Sequence, residues 1–234
     1  MRPVGIFRHS PTEGPGYFAA HLEARGIPWR LVGVAEGEPV PADPRGFSGI
    51  TLMGGPMSVN DDLPWIPPTL ALIRAAVAAD VPVLGHCLGG QLMSKALGGT
   101  VIRNPVQEIG WGPVQVPDDP EARRWFGDVK EFLSFHWHGE TFSIPAGATR
   151  ILGSANCANQ AFALGKHLGM QCHVEMTPDM IRTWAADAAG EVSRPAGPAV
   201  QTPAQMEERI DERVRDLNAV AARLYDRWLE GLAR

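Results

Sequence analysis

A chain of 234 residues with 44% hydrophobic and 20% charged residues can bury a sizeable core, which excludes a disordered polymer and favours one large domain over two small ones. Its formal net charge of −5 argues against a phosphate-neutralising surface, so nucleic acid is not expected as a partner and a small polar substrate is. The N-terminal apolar run Pro3 to Phe7 meets Arg8 too soon for a signal peptide or a membrane span, so no membrane partner is expected. Three cysteines, at 87, 157 and 172, make neither a CxxC pair nor an even disulfide set, so a reducing, cytoplasmic setting is expected.

Val4 to Phe7 reads as a strand, the Gly14-Pro15-Gly16 break as a loop and Tyr17 to Arg25 as a helix stopped by Gly26. Trp29 to Val34 and Gly49 to Met53 read as further strands, the second broken off by Gly54-Gly55-Pro56. Leu70, Ile73, Ala76 and Val77 share one helical face, and Val81 to Leu84 is a β-branched run too short for a helix. Apolar strands alternating with helices predict an α/β fold: a doubly wound, mostly parallel sheet flanked by helices in three flavodoxin-like layers.

Beyond Gly98, strands are predicted over 100–103, 112–116, 132–136, 149–154, 161–164 and 170–174, as antiparallel additions. Thr177-Pro178 and Thr202-Pro203 each offer a capping hydroxyl before a proline suited to the first helical position, and Thr202 with Gln205 fits a capping box. Met206, Ile210, Val214, Leu217, Ala221, Leu224 and Trp228 form one apolar stripe on a final helix. The expected organisation is a catalytic domain over 1–190, with 191–234 as a connector and C-terminal helix packed on it. The Gly/Pro-containing stretch 190–203 is the connector.

The segment Leu84-Gly85-His86-Cys87-Leu88-Gly89-Gly90-Gln91 has the form of a nucleophile elbow. Without a Cβ at Gly85 or Gly89 a strand and a helix can approach closely, and the apex residue can be held in a strained conformation that projects its thiol. The helix beginning at Leu88 would point its positive end at Cys87 and favour the nucleophilic sulfur anion. The Leu88 N–H is then available to an oxyanion, and a backbone N–H in Gly54-Gly55-Pro56 is its natural companion.

A cysteine nucleophile needs a proton carrier, and Gln171-Cys172-His173-Val174-Glu175 supplies one. At period-2 spacing His173 and Glu175 leave one face, so the carboxylate can fix the imidazole's tautomer while the other nitrogen addresses Cys87. Gly-x-Cys-x-Gly occurs in inert turns and His-x-Glu on solvated strands, so their joint presence in this order carries the reading. His136 and His138 could be taken for a metal pair, but no neighbouring Cys or His-rich cluster completes the set, and neither metal nor cofactor is expected. Cys157 reads as a small buried hydrophobe, His86 as structural, and His9, His21 and His167 carry no functional weight.

Gly54-Gly55-Pro56, Gly85 to Gln91, Glu108-Ile109-Gly110-Trp111 and His173-Val174-Glu175 resemble successive signatures of the class I glutamine amidotransferases. The chain is similar in particular to free-standing domains related to the glutaminase part of GMP synthase, including Asn159-Gln160-Ala161-Phe162 before the histidine. The resemblance implies the triad Cys87, His173 and Glu175, an oxyanion hole at Gly55 and Leu88, and substrate contacts at Gly54, Gln91, Trp137, His138 and Gly139. Three departures stand out: Trp137-His138-Gly139-Glu140 replaces a frequent Ser-His-Gly-Asp, Cys172 a common aromatic residue, and Val174 a frequent proline.

The activity implied is hydrolysis of glutamine through a γ-glutamyl thioester, with ammonia passed to a separate synthetase chain, since no P-loop is present. The alternatives are a hydrolase of γ-glutamyl peptides or conjugates working without a partner, and a catalytically silent interaction module. A bulky leaving group requires an open pocket beyond the scissile bond; ammonia does not.

Overall fold

In the three-layer arrangement each central strand sends alternate side chains to opposite faces, and each face must then be covered. The structure, a computed structural model describing residues 1–187 and 197–233, shows this. Strands β1 (Val4–Arg8), β3 (Gly49–Leu52) and β4 (Val83–His86) are almost wholly buried. Phe7, Ile50, Leu52 and Val83 pack with helices α2 (Ile66–Ala78) and α3 (Leu88–Ala96). Val4, Ile6 and Leu84 pack on the other side with α1 (Gly16–Ala24) and the C-terminal helix.

The main sheet has the order β2-β1-β3-β4-β9-β8-β7, where β2 is Trp29–Gly33, β7 Thr149–Leu152, β8 Ala161–Leu164 and β9 His167–Met170. Strands β2, β1, β3, β4 and β9 run parallel, while β8 and β7 are antiparallel additions at one edge. The expected doubly wound sheet is therefore present. The order reverses between β1 and β3, and loops after such strand ends form the customary crevice of open α/β sheets.

Three sequence expectations change. The segments 100–103 and 112–116 are the two ends of one strand, β5 (Val101–Gln115), whose register shifts between Arg103 and Glu108. It pairs with β6 (Glu131–Phe142) as a separate two-stranded ribbon, and the bulge absorbs the Asn104-Pro105 interruption. The strand predicted over 170–174 as an antiparallel addition is instead β9, which runs parallel to β4 and meets that range only at Met170, because the chain then leaves the sheet: the His173 N–H bonds to the Phe135 carbonyl of β6.

The apolar stripe of the last helix is divided. Thr202 caps a short helix, α6 (Pro203–Glu207), with the predicted capping box to Gln205. Arg209 then adopts a left-handed conformation, φ 54°, before α7 (Ile210–Leu229). Met206 is buried with the α7 stripe all the same, since both segments face the core that includes α1 and the sheet. Helices α4 (Pro120–Phe126) and α5 (Pro178–Asp187) and a 3-10 turn at Pro44–Gly46 complete the described elements. Thr177 caps α5 by accepting from the Met180 N–H. Part of the connector expected over 190–203 lies outside the described residues.

The tightest packing is where α3 begins. A Cβ at Gly89 would lie 2.1 Å from the Leu52 carbonyl oxygen of β3, and one at Gly90 would lie 2.3 Å from the Met170 carbonyl oxygen of β9. A Cβ at Gly85 would meet the Gly89 backbone at 2.5 Å. The helix start is thus seated between the two strands that flank β4. Gly89→Ala is expected to lower stability by about 1–3 kcal/mol through overpacking against backbone that has no room to yield. Gly46→Ala, which meets nothing within 4 Å, is expected to stay within about 0.5 kcal/mol. Urea unfolding of both variants checks the contrast, and equal midpoints would contradict it.

Candidate active site

Four loops at the C-terminal ends of parallel strands meet over the start of α3. Cys87 follows β4 directly, with φ 50° and ψ −108°, a conformation that a non-glycine residue adopts at a cost of order 1–3 kcal/mol and that surrounding packing must hold in place. The glycine contacts just described supply that packing. The thiol is buried apart from a small exposed fraction, and both the Gln171 amide nitrogen (3.6 Å) and the Trp137 carbonyl oxygen (3.8 Å) lie beside its sulfur.

His173 and Glu175 sit on the segment leaving β9, which is fastened at three points. The Gln171 N–H donates to the Gln160 carbonyl, the His173 N–H to Phe135, and the Tyr17 N–H donates to the Glu175 carbonyl. His173 Nδ1 lies 2.6 Å from Glu175 Oε1, and both side chains are buried. With Nδ1–H donating to the carboxylate, Nε2 is the nitrogen left to address the Cys87 sulfur. Burial alone would lower the His173 pKa, but the Glu175 carboxylate and the Cys87 sulfur outweigh it and hold the imidazolium well above its usual range. Burial would likewise raise Glu175, yet the His173 and His86 charges bring it down to about 2.

The residues singled out in sequence for an oxyanion and a substrate gather around the same thiol, with one exception. A Cβ at Gly55 would lie 2.8 Å from Leu88 Cδ2, so the two residues are neighbours, and no described backbone bond uses either N–H. A cavity of about 290 Å³ is lined by Cys87, Gln91, Gly55, Trp137, His138 and Gly139, among others. The Gln91 amide donates to Gln171 Oε1 at 3.2 Å. Gly54 lies outside that lining. Its missing side chain leaves room instead for Glu13 Oε2, 2.0 Å from where a Cβ would stand, and for His173 Cε1 at 3.3 Å.

Sequence reasoning passed over three residues of this centre. Gln171 continues the period-2 face of His173 and Glu175, which is the signal that could have found it. Glu13, on the loop after β1, and Trp184, on α5, line a second cavity with Cys87 and His173. No local pattern marks either, since they reach the centre only through the fold. Trp184 stacks edge-on against His173 with ring centroids 5.0 Å apart, and its indole N–H donates to the Thr12 carbonyl.

A profile of the glutamine amidotransferase class-I family matches residues 19–183. The chain belongs to the class-I glutamine amidotransferase family. It is similar along its whole length to a glutamine amidotransferase of Methylobacillus flagellatus, at 46% identity and a TM-score of 0.98 over 96% of that chain. A glutamine amidotransferase of Thermotoga maritima matches at 26% identity and a TM-score of 0.88, covering 98% of this chain and 99% of that one. Among curated relatives, the glutamine amidotransferase-like protein YfeJ of Salmonella typhimurium is 29% identical over 74% of this chain and 75% of its own. GMP synthase of Psychromonas ingrahamii is 35% identical over 61% of this chain, a match that spans 29% of that enzyme.

Within this amidotransferase the remaining cysteines are held as thiols. Burial pushes Cys172 up to about 12 and raises Cys157, which packs against the Thr141 hydroxyl at 3.2 Å. His136 and His138 acquire a third group that the sequence did not announce, since Glu108 lies with them so that one ligand atom from each falls within 4.8 Å. The Glu108 oxygens accept from Ser154 Oγ (3.0 Å) and Gln160 Nε2 (2.7 Å) and stand 3.0 Å from His138 Nε2. That network fastens the ribbon bearing Trp137–Gly139 to the β7–β8 edge. The His138 ring is turned into it, its Nδ1 donating to the Glu140 carbonyl. His86 sits behind Glu175, with Nε2 3.8 Å from Oε2 and 3.1 Å from the Tyr225 hydroxyl.

Burial lowers His9, His136 and His167 to about 4. Below the ordinary histidine value of 6.5 the unfolded chain therefore takes up protons at these sites that the folded protein refuses. Each site removes at most about 1.4 kcal/mol per pH unit as the pH falls toward 4. Glu13, raised by burial to about 7, works the other way over pH 7 to 4.5, but one carboxyl does not offset three imidazoles. The urea midpoint is expected to be lower at pH 5 than at pH 6.5; an unchanged or higher midpoint would contradict this assignment.

Proposed function

We propose that this amidotransferase cleaves the side-chain amide of a γ-glutamyl substrate, glutamine in the simplest case, through a thioester on Cys87. The observation that carries this reading is the buried His173 imidazole, fixed at 2.6 Å by Glu175 on one nitrogen and facing the elbow thiol with the other. The Cys87 sulfur attacks the γ-carbonyl carbon, and the resulting oxyanion is received by the Gly55 and Leu88 N–H groups. Collapse breaks the C–N bond as His173 gives its Nε2 proton to the leaving nitrogen.

Neutral His173 then takes a proton from water, whose oxygen attacks the thioester carbonyl. The C–S bond breaks, glutamate leaves, and the sulfur and the protonated His173 are returned for the next cycle. Gln91, Trp137 and Gly139, lining the 290 Å³ cavity, hold the amino-acid end of the substrate. Glutamine would yield ammonia, and relatives named glutamine-hydrolyzing GMP synthases support the proposal that a separate synthetase chain receives it. All three cysteines are unpaired, which fits the reducing cytoplasm in which a thiol nucleophile survives.

Cys87→Ala is expected to cut glutamine turnover at least about 1,000-fold with the melting temperature little changed. Glu175→Gln is expected to cost about 100- to 10,000-fold by losing the imidazole's orientation and charge partner. A glutamine-mimicking electrophile is expected to label Cys87 and spare Cys157 and Cys172, as read by peptide mass spectrometry. Full turnover in Cys87→Ala would end the proposal.

A further inference from the structure

Two cavities open on the Cys87 thiol, and only one is used by the chemistry above. The first contains Gln91 and the 137–139 segment and lacks His173. The second, of about 420 Å³, contains both Cys87 and His173. Since His173 delivers the proton to the departing nitrogen, the cavity on its side is the one into which a leaving group extends. Ammonia fills about the space of one water, roughly 30 Å³, so a cavity of 420 Å³ exceeds its need by an order of magnitude. The volume lies in the range of sites that hold a small organic molecule, about 300–1,000 Å³.

The walls of the second cavity select among such molecules. Glu13 and Asp187 contribute carboxylates, and Trp137 and Trp184 contribute indole rings set edge-to-face at 5.9 Å and 88°. The Trp184 N–H is already engaged by Thr12, which leaves apolar ring surface for the cavity. Among the described residues lining it there is no Lys or Arg, and His173 is the one cationic group. The Glu13 carboxylate accepts no hydrogen bond from a described residue although it is half-buried beside His173 and Gly54. Carboxylates with aromatic faces are the surroundings that a desolvated ammonium prefers, whereas a leaving group ending in a carboxylate would face like charge.

We infer that this second cavity is a leaving-group subsite for an amine carrying its own positive charge, so that γ-glutamyl amides of aminoalkyl amines are favoured over glutamine. The inference rests on the thioester reading above and names its substrate class. Glu13 pairs with the distal ammonium, Asp187 adds its charge from an exposed position, and the two indoles, in contact with each other, form one apolar wall along the alkyl chain. An entering ammonium would add a second positive charge to that of His173 beside Glu13, and so draw further toward ionisation a carboxyl that burial holds near 7.

The test compares kcat/KM for glutamine with three amides of similar length: γ-glutamyl-4-aminobutylamide (cationic), γ-glutamyl-pentylamide (neutral) and γ-glutamyl-3-carboxypropylamide (anionic). The cationic amide is expected to lead the neutral one by about tenfold, equivalent to about 1.4 kcal/mol, and to lead the anionic one and glutamine as well. Glu13→Gln is expected to bring the cationic-to-neutral ratio toward one, chiefly through KM. Asp187→Asn, at an exposed position where folding is not at stake, is expected to lower the ratio in the same direction. Glutamine turned over best, the anionic amide preferred, or a ratio unmoved by both variants would overturn the subsite while leaving the thioester reading intact. No γ-glutamyl adduct on Cys87 with any of the four substrates would instead overturn the thioester reading itself.

Discussion

The whole centre depends on the seating of the first turn of α3 against two strand carbonyls. Gly89 lies on Leu52 and Gly90 on Met170, at distances that leave no room for a side chain. Because those carbonyls belong to the strands on either side of β4, the helix start is held laterally, and Cys87 is obliged to take the positive-φ conformation that joins strand to helix. The cost of that conformation is met by packing spread over three strands and a helix. The same seating aims the helix N-terminus at the thiol and leaves the Leu88 N–H free.

Around that fixed point the parallel sheet brings distant segments together for one geometric reason. The loops after β1, β3, β4 and β9 leave the same edge, so Glu13, Gly55, Cys87 and His173 become neighbours although they span 160 positions of sequence. The β5–β6 ribbon closes the arrangement from the side. It contributes Trp137 between the two cavities and pins the His173 backbone through Phe135. The buried Glu108–Ser154–Gln160 hydrogen bonds tie this ribbon, and with it Trp137, to the sheet's antiparallel edge.

What could be read from sequence was what local chemistry dictates. The elbow glycines, the His-x-Glu spacing and the Thr202–Gln205 cap each state their requirement within a few residues, and the apolar strands announced a buried parallel sheet. The predicted strand at 170–174 failed because the hydrogen-bond partner of His173 is β6 rather than a sheet neighbour, a fact that no alternation pattern contains. The division of the last helix at Arg209 was hidden because Met206 keeps the apolar spacing across the break. Glu13 and Trp184 were invisible for a different reason: each is an ordinary residue on an ordinary element, made notable only by what the fold sets opposite it.

The contact between Tyr225 and His86 has a consequence for anyone recombining this chain with its relatives. The phenol of the terminal helix touches the same imidazole nitrogen, His86 Nε2, that stands behind the carboxylate orienting His173. Helix α7 is therefore wired into the reaction centre as well as packed on its back. A graft that keeps every apolar knob of α7 but loses the hydroxyl at 225 would dock correctly and still disturb the buried ionic balance. In this scaffold, the tail travels with the chemistry.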